Sequence, residues 1–403
     1  MTEATNLALP ARHAGDVRLI GGVSAAHFVS HFYLLALPPL FGFVKAEYDV
    51  TYTQLGLTLT VLNAVSAILQ TPAGFLIDRI NARLTLVAGL LLGAVAFAVA
   101  GLVHSFWVLI AMYGVLGIAN TVYHPADYTL LSRHVAPERI SHAYSVHTFA
   151  GMLGSAAAPG AILFMHALFG WRGALLGTAV FGSIVALVLL LQPDGEPVRA
   201  QAKPRGDAAA DTSWRLLLAP PILMSCAFFF MLAFASYGLQ NFLVVALGSL
   251  YGTSPLTANA ALSGHLVLSA LGVLIGGWIA GRITHFRLFS SFGLGVTAVA
   301  AVLIGSVDLG ALLLILVMSF AGLCAGMVMP SRDMIVRGVT PPGAFGKVFG
   351  FVTNGFNIAG IIAPLLFGAL LDHGQPRTMF YIIAAFTLLS IVAVASVSKR
   401  RGA

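Results

Sequence analysis

His27 and His31 stand four residues apart in an otherwise apolar stretch, so a helix there puts both imidazoles on one face, one turn apart. Such a pair can hold a metal ion, hydrogen-bond to neighbouring helices, or bind a substrate and handle its proton. No Cys or carboxylate shares the stretch, so the metal reading is the weakest and no metal site is expected. A packed, hydrogen-bonded pair stays open beside the functional reading. Histidine exchanges protons near neutral pH with little perturbation, which makes His27 and His31 the first place to put proton coupling.

A second constellation follows in Asn120, Tyr123, His124 and Asp127, with Asn120, Tyr123 and Asp127 at i, i+3 and i+7 on one helix face. Asp127 reads either as a helix-end carboxylate paired with Arg133 or Arg332, or as a proton acceptor. Arg332 follows Pro330 and precedes Asp333, so it is a partner for one of the two acids or an anchor for an anionic substrate. The preferred assignment gives the proton to His27 and His31, and a gate or substrate contact to Asp127 and Arg332. Tyr237, Gln240 and Asn241 add neutral hydrogen-bonding groups, as do Asn354 and Asn357. His147 and His265 read first as packed core histidines. No Gly-rich phosphate loop ending in Lys-Ser/Thr is present, and no Gly-x-Ser-x-Gly nucleophile turn. Neither ATP hydrolysis nor enzyme catalysis is expected, and no cofactor.

The elements that position these groups follow from composition. The chain has 403 residues, 59% hydrophobic and 9% charged, with mean hydropathy +0.93. A soluble domain carries about 25% charged residues, so this chain is built for lipid. A membrane helix needs about 20 apolar residues. Twelve such segments are expected, at 18–43, 52–77, 83–103, 107–131, 141–166, 171–192, 216–248, 256–281, 287–306, 310–336, 346–371 and 377–398. At about 1.5 Å per residue, His27 and His31 lie roughly 14–20 Å into the first, near the bilayer midplane. Ionisable groups there are costly and tend to face a pathway. Residues 193–215, with Pro193, Pro197 and Pro204, read as a polar linker. The expected domains are therefore 1–192 and 216–403, each a six-helix bundle, with the linker at 193–215.

With both termini cytoplasmic, all but three of the 21 Lys and Arg residues fall inside, the exceptions being Lys45, Arg172 and Arg377. That places the basic surplus at a membrane surface and gives no reason to expect nucleic acid. The expected setting is the inner (plasma) membrane, as a multi-pass monomer. Cys226 and Cys324 lie in apolar runs and read as buried fillers. No cleaved signal peptide is expected from residues 1–16.

The chain also repeats itself. Gly117, Pro125, Pro137 and Pro159 recur 205 positions later as Gly322, Pro330, Pro342 and Pro364, each set implying an apolar helix, a Pro-centred break, a basic loop and a second apolar helix carrying Gly and Pro. Side chains diverge between the copies: His124 and Asp127 become Met329 and Arg332. A loop motif, Gly74-x-x-x-Asp78-Arg79-x-x-x-Arg83, joins the second and third spans. It reads either as positive-inside loop chemistry or as a charge latch on the cytoplasmic side.

Over its whole length the chain resembles the major facilitator superfamily, in its twelve spans, central linker, 6+6 duplication and first-loop motif. Gly74, Asp78, Arg79 and Arg83 occupy the marked positions of that motif. Gly151, Gly154 and Pro159-Gly160 resemble the Gly/Pro-rich fifth span of many antiporters. Tyr113 and Gly114 stand where drug/proton antiporters carry an Arg before a Gly pair. The run from Tyr123 to Asp127 is similar to the Phe-His-Pro-Glu run of the fosmidomycin-resistance branch. The resemblance implies a secondary transporter working by alternating access, with the first, fourth, seventh and tenth spans around the substrate. Proton-coupled export of a small amphipathic or anionic compound is the expected function. Proton-linked uptake of a small organic anion is the alternative, and a non-transporting receptor or assembly protein the third.

Overall fold

A computed structural model describes residues 5–77, 80–135, 139–192, 214–280, 282, 285–341 and 345–396. Among the described residues the chain is helical and has no strand. In order come α1 (Thr5–Leu34), a 3-10 turn at Pro38–Leu40, α2 (Phe41–Tyr48), α3 (Tyr52–Ile77), α4 (Ala82–Leu102), α5 (Phe106–His134) and α6 (Ile140–Leu191). After a 3-10 turn at Trp214–Leu218 follow α7 (Pro220–Tyr251), α8 (Pro255–Ala280), α9 (Phe286–Ser306), α10 (Gly310–Val339), α11 (Phe345–Asp372) and α12 (Pro376–Ser396).

Eleven helical stretches among the described residues are long and apolar enough to cross a membrane. One of them carries two crossings. The 52 residues of α6 would make about 78 Å of straight helix, more than twice the hydrocarbon core. The helix breaks at Gly170, whose φ of 72° and ψ of 174° suit a residue without Cβ. The expected fifth and sixth spans meet at that break. Elsewhere the ends follow local rules. The Asn81 side chain caps α4 by accepting from the N–H groups of Arg83 and Leu84, and Ser105 caps α5 at Val108. Prolines open α7, and Gly252, left-handed at φ 68°, closes it.

The Pro-centred breaks expected at Pro125 and Pro330 do not occur, whereas Pro159 and Pro364 fall within the second helix of each copy as expected. Pro125 lies inside α5, Pro159 inside α6, Pro330 inside α10 and Pro364 inside α11, each with helix on both sides. Proline removes one backbone hydrogen bond, but lipid leaves the remaining backbone groups no partner other than the helix itself. Pro38-Pro39, by contrast, stands where α1 gives way to the 3-10 turn before α2. Pro137 and Pro342 lie outside the described residues.

Large apolar side chains stay exposed along the spans, among them Trp107, Leu191, Leu312 and Val299. Around a protein in water such a surface is a liability; around a membrane protein it is the lipid contact. The chain is a multi-pass membrane protein.

Contacts divide it into two compact units, Met1–Ala36 with Val65–Arg205 and Leu37–Ala64 with Gly206–Ala403. In the first unit α1 packs on α6, and α4 packs on both α5 and α6. The second unit packs α7 on α11, α8 on α10, and α12 on α7 and α9. A cluster including Phe228, Phe229, Val336, Val348 and Val352 fills the interior between α7, α10 and α11. The same unit holds the start of α3, where the Asp372 carboxylate accepts from the N–H groups of Tyr52 and Thr53 at 2.7 and 2.8 Å. It thereby supplies acceptors that the helix start cannot supply itself.

Candidate functional site

The first unit brings five titratable side chains together, His27, His31, His124, Asp127 and His147. His27 and His31 project from α1 one turn apart, with ring centroids 4.6 Å apart and nearly perpendicular planes. α6 brings His147 onto His27, the two rings stacked at 3.8 Å and 14°. From α5 come His124, 5.1 Å from His27, and Asp127, whose Oδ2 lies 3.7 Å from His147 Nε2. Tyr128 closes the group, 5.6 Å from the His147 ring. His27, Asp127 and His147 are buried, His31 is half-buried and His124 is exposed.

Close approach of α1 to α6 makes this possible. A Cβ on Gly151 would sit 2.5 Å from His27 Cε1 and 3.0 Å from His31 Cδ2, and one on Gly154 would run into the backbone carbonyl of Phe28. Glycine at both positions lets the imidazoles occupy the seam between the helices.

The hydrogen bonds fix one tautomer. His27 Nδ1 lies 2.8 Å from the His147 carbonyl oxygen, which can only accept. Nδ1 therefore carries the proton, and Nε2 of the neutral ring holds a lone pair. That Nε2 has no hydrogen-bond partner, nor have either nitrogen of His147 or either oxygen of Asp127. Buried polar atoms are normally paired, so this set of unpaired ones points to a role outside folding. His31 Nδ1 lies 3.2 Å from Ser155 Oγ.

The other sequence candidates go to different neighbours. Asn120 Nδ2 donates to Ser66 Oγ at 3.3 Å, and Tyr123 is buried with its hydroxyl donating to the Gly89 carbonyl at 3.0 Å. In the second unit the Tyr237 hydroxyl donates to Asn63 Oδ1 at 2.8 Å, and Asn241 Nδ2 to the Tyr237 carbonyl at 2.9 Å. Gln240, beside them on α7, is half-buried. Arg332 Nε donates to Asp333 Oδ1 at 2.9 Å, and the guanidinium lies over the Phe229 ring at 4.4 Å. In the loop motif Gly74 falls within α3, while Asp78 and Arg79 lie outside the described residues. Arg83 donates to the carbonyls of Leu189, Leu190 and Gln192, capping the C-terminal end of α6 with a positive charge.

His147, read from the sequence as a packed core histidine, is buried, and the structure sets it beside His27 and Asp127. A signal for it existed: His147, Gly151 and Gly154 stand at i, i+4 and i+7, so one helix face carries an imidazole and two sites of close approach.

This cluster of titratable groups lies within the first unit of a multi-pass helical membrane protein. The sequence model of the Major Facilitator Superfamily matches residues 23–244 and 226–402, and the chain belongs to that family. The fosmidomycin resistance protein of Escherichia coli K12 is 23% identical over 393 residues, covering 93% of this chain and 92% of its own. A probable nitrate/nitrite transporter of Mycobacterium tuberculosis H37Rv is 26% identical over 349 residues, covering 82% of each chain. Among solved structures, an inward-facing, unoccupied bacterial homolog of the human lysosomal transporter Spinster aligns with a TM-score of 0.76. It does so at 15% identity, over 98% of this chain and 99% of that one, and so speaks for the fold. The family and these relatives mark the chain as a membrane transporter and not an enzyme.

Proposed function

We propose that the protein exports a small amphipathic or anionic compound across the inner membrane in exchange for protons, by alternating access of its two halves. The observation that carries this reading is the cluster of His27, His31, His124, His147 and Asp127, whose unpaired nitrogens and oxygens sit inside the membrane-spanning first unit. Groups kept there without hydrogen bonds cost stability and are expected to serve transport. His27 and His31 handle the proton; His124, Asp127 and Arg332 serve as substrate or gate contacts, with Asn120, Tyr123, Tyr237, Gln240 and Asn241 around the substrate. Gly74, Asp78, Arg79 and Arg83 form the cytoplasmic gate. The likeness to the fosmidomycin resistance protein supports the export direction. Proton-linked uptake of an organic anion is the second reading, favoured by the similarity to a probable sulfoacetate transporter of Cupriavidus necator.

The test is flux in vesicles holding the purified protein, with toxic compounds and organic acids as candidate cargo. A pH gradient should drive accumulation in wild type. The double variant His27→Gln/His31→Gln should retain exchange at equal pH and lose about tenfold or more of the gradient-driven flux, because an amide hydrogen-bonds but takes no proton. Full gradient-driven flux in that variant removes the two histidines from the coupling step.

Orientation has its own check. With both termini cytoplasmic, single cysteines at Lys45 or Arg377 should react with an impermeant thiol reagent added to whole cells, and cysteines at Arg83 or Arg337 should not. The opposite labelling pattern overturns the charge-based topology.

A further inference from the structure

We infer that His27, His124 and His147, backed by Asp127, form a binding site for a divalent transition-metal ion of the zinc type. One ring nitrogen from each of the three histidines lies within 4.8 Å of the others. Tetrahedral zinc with bonds of about 2.0–2.1 Å to nitrogen holds its ligand atoms roughly 3.4 Å apart, so the nitrogens must close in by little more than an ångström, and the stacked His27 and His147 rings must tilt to aim their in-plane lone pairs at one point. His124 is exposed and bound to its neighbours by ring contacts, which leaves it free to swing inward.

The donor set is prepared for a cation in three respects. His27 donates Nδ1–H to a backbone carbonyl, the arrangement that commonly orients a metal-ligating histidine, and its Nε2 lone pair is unpaired and buried. His147 stands with Nε2 towards the Asp127 carboxylate, as in a carboxylate–histidine–metal chain, and both its nitrogens lack hydrogen bonds. Asp127 supplies a negative charge against the dication in a site otherwise made of neutral imidazoles. Three imidazoles without thiolate select borderline ions such as Zn2+, Co2+ or Ni2+, whereas Mg2+ and Ca2+ prefer oxygen. Both cysteines lie in other helices, Cys226 in α7 and Cys324 in α10. Three protein nitrogens leave one position open, which suits an exchangeable ion better than a structural one. The sequence expectation of no metal weighed only His27 and His31; folding adds the ligands from α5 and α6.

This inference does not depend on the direction of transport or on proton coupling, and its test needs neither. The full chain, purified in detergent without a polyhistidine tag, is titrated with Zn2+ by calorimetry and with Co2+ followed by its visible spectrum. Wild type should bind one ion per chain and give the intense bands of low-coordinate Co2+. Affinity should fall roughly tenfold or more in His124→Gln, whose exposed position spares the packing, and in His147→Gln. Asp127→Asn should weaken binding by roughly 10- to 100-fold, as loss of a carboxylate behind a ligand does. His104→Gln and His373→Gln, exposed and remote in sequence, should bind as wild type. Absence of saturable binding in wild type overturns the inference. So does binding that His124→Gln and His147→Gln leave unchanged.

Discussion

Gly154→Ala should give a protein that melts several degrees below wild type in detergent, while Gly160→Ala, two turns further along α6, should not. The two glycines differ in what a methyl group meets. At Gly154 the added Cβ would collide with the carbonyl group and Cα of Phe28, which are backbone and have no rotamer to escape into. α1 and α6 must then separate, at a cost of about 1–3 kcal/mol for overpacking a tight interface. At Gly160 nothing lies within 4 Å, so alanine adds only helix propensity, worth up to about 1 kcal/mol in the stabilising direction. Gly151 falls between them, because its obstacle is the His27 and His31 rings, which can rotate away. Gly151→Ala should therefore spare the fold more than Gly154→Ala and disturb the cluster directly. Equal melting temperatures for wild type and Gly154→Ala would remove the close α1–α6 contact from the account of stability.

The spans were legible in the sequence because lipid imposes one requirement, about 20 apolar residues in a row, on every crossing. Even the boundary inside α6 fell where a glycine precedes Trp171. Pro125 and Pro330 misled because a break was inferred from one lost hydrogen bond, without weighing the absence of any other backbone partner in lipid. The neighbourhood of the candidate residues was legible in part. His27 and His31 were found because both sit on one face of one helix. Asn120, Tyr123 and Asp127 share a face too, yet they part company in the fold. About 10 Å of helix separates Asn120 from Asp127, and crossing helices change neighbours over that distance. Ser66 of α3 meets Asn120, α4 meets Tyr123, and His147 of α6 meets Asp127. Periodicity along one helix reports a direction and leaves open what lies there. His147 reads as a packed core histidine and is buried, but its neighbours are not legible for the same reason, since they belong to α1 and α5.

Asp127→Asn should leave the protein at least as thermostable as wild type and cut both exchange and gradient-driven flux by about tenfold or more. Asp127 is fully buried, and neither carboxylate oxygen accepts a hydrogen bond. His147 Nε2 lies 3.7 Å from Asp127 Oδ2, too long for a hydrogen bond. A carboxylate placed there for stability would be surrounded by donors, because a buried charge without them costs several kcal/mol. Replacing it with an amide of the same shape removes the charge and its desolvation cost, and the fold has no bonded partner to lose. Under the proposed function flux is expected to respond in the opposite sense, since the carboxylate stands 3.7 Å from His147 Nε2, beside the histidines proposed to handle the proton. The double substitution at His27 and His31 should differ by sparing exchange at equal pH, so the two variants separate a contact role from a coupling role. Melting several degrees lower in Asp127→Asn, with flux reduced only in proportion to folded protein, would make Asp127 a structural group. Full flux with unchanged melting would leave it no role in transport.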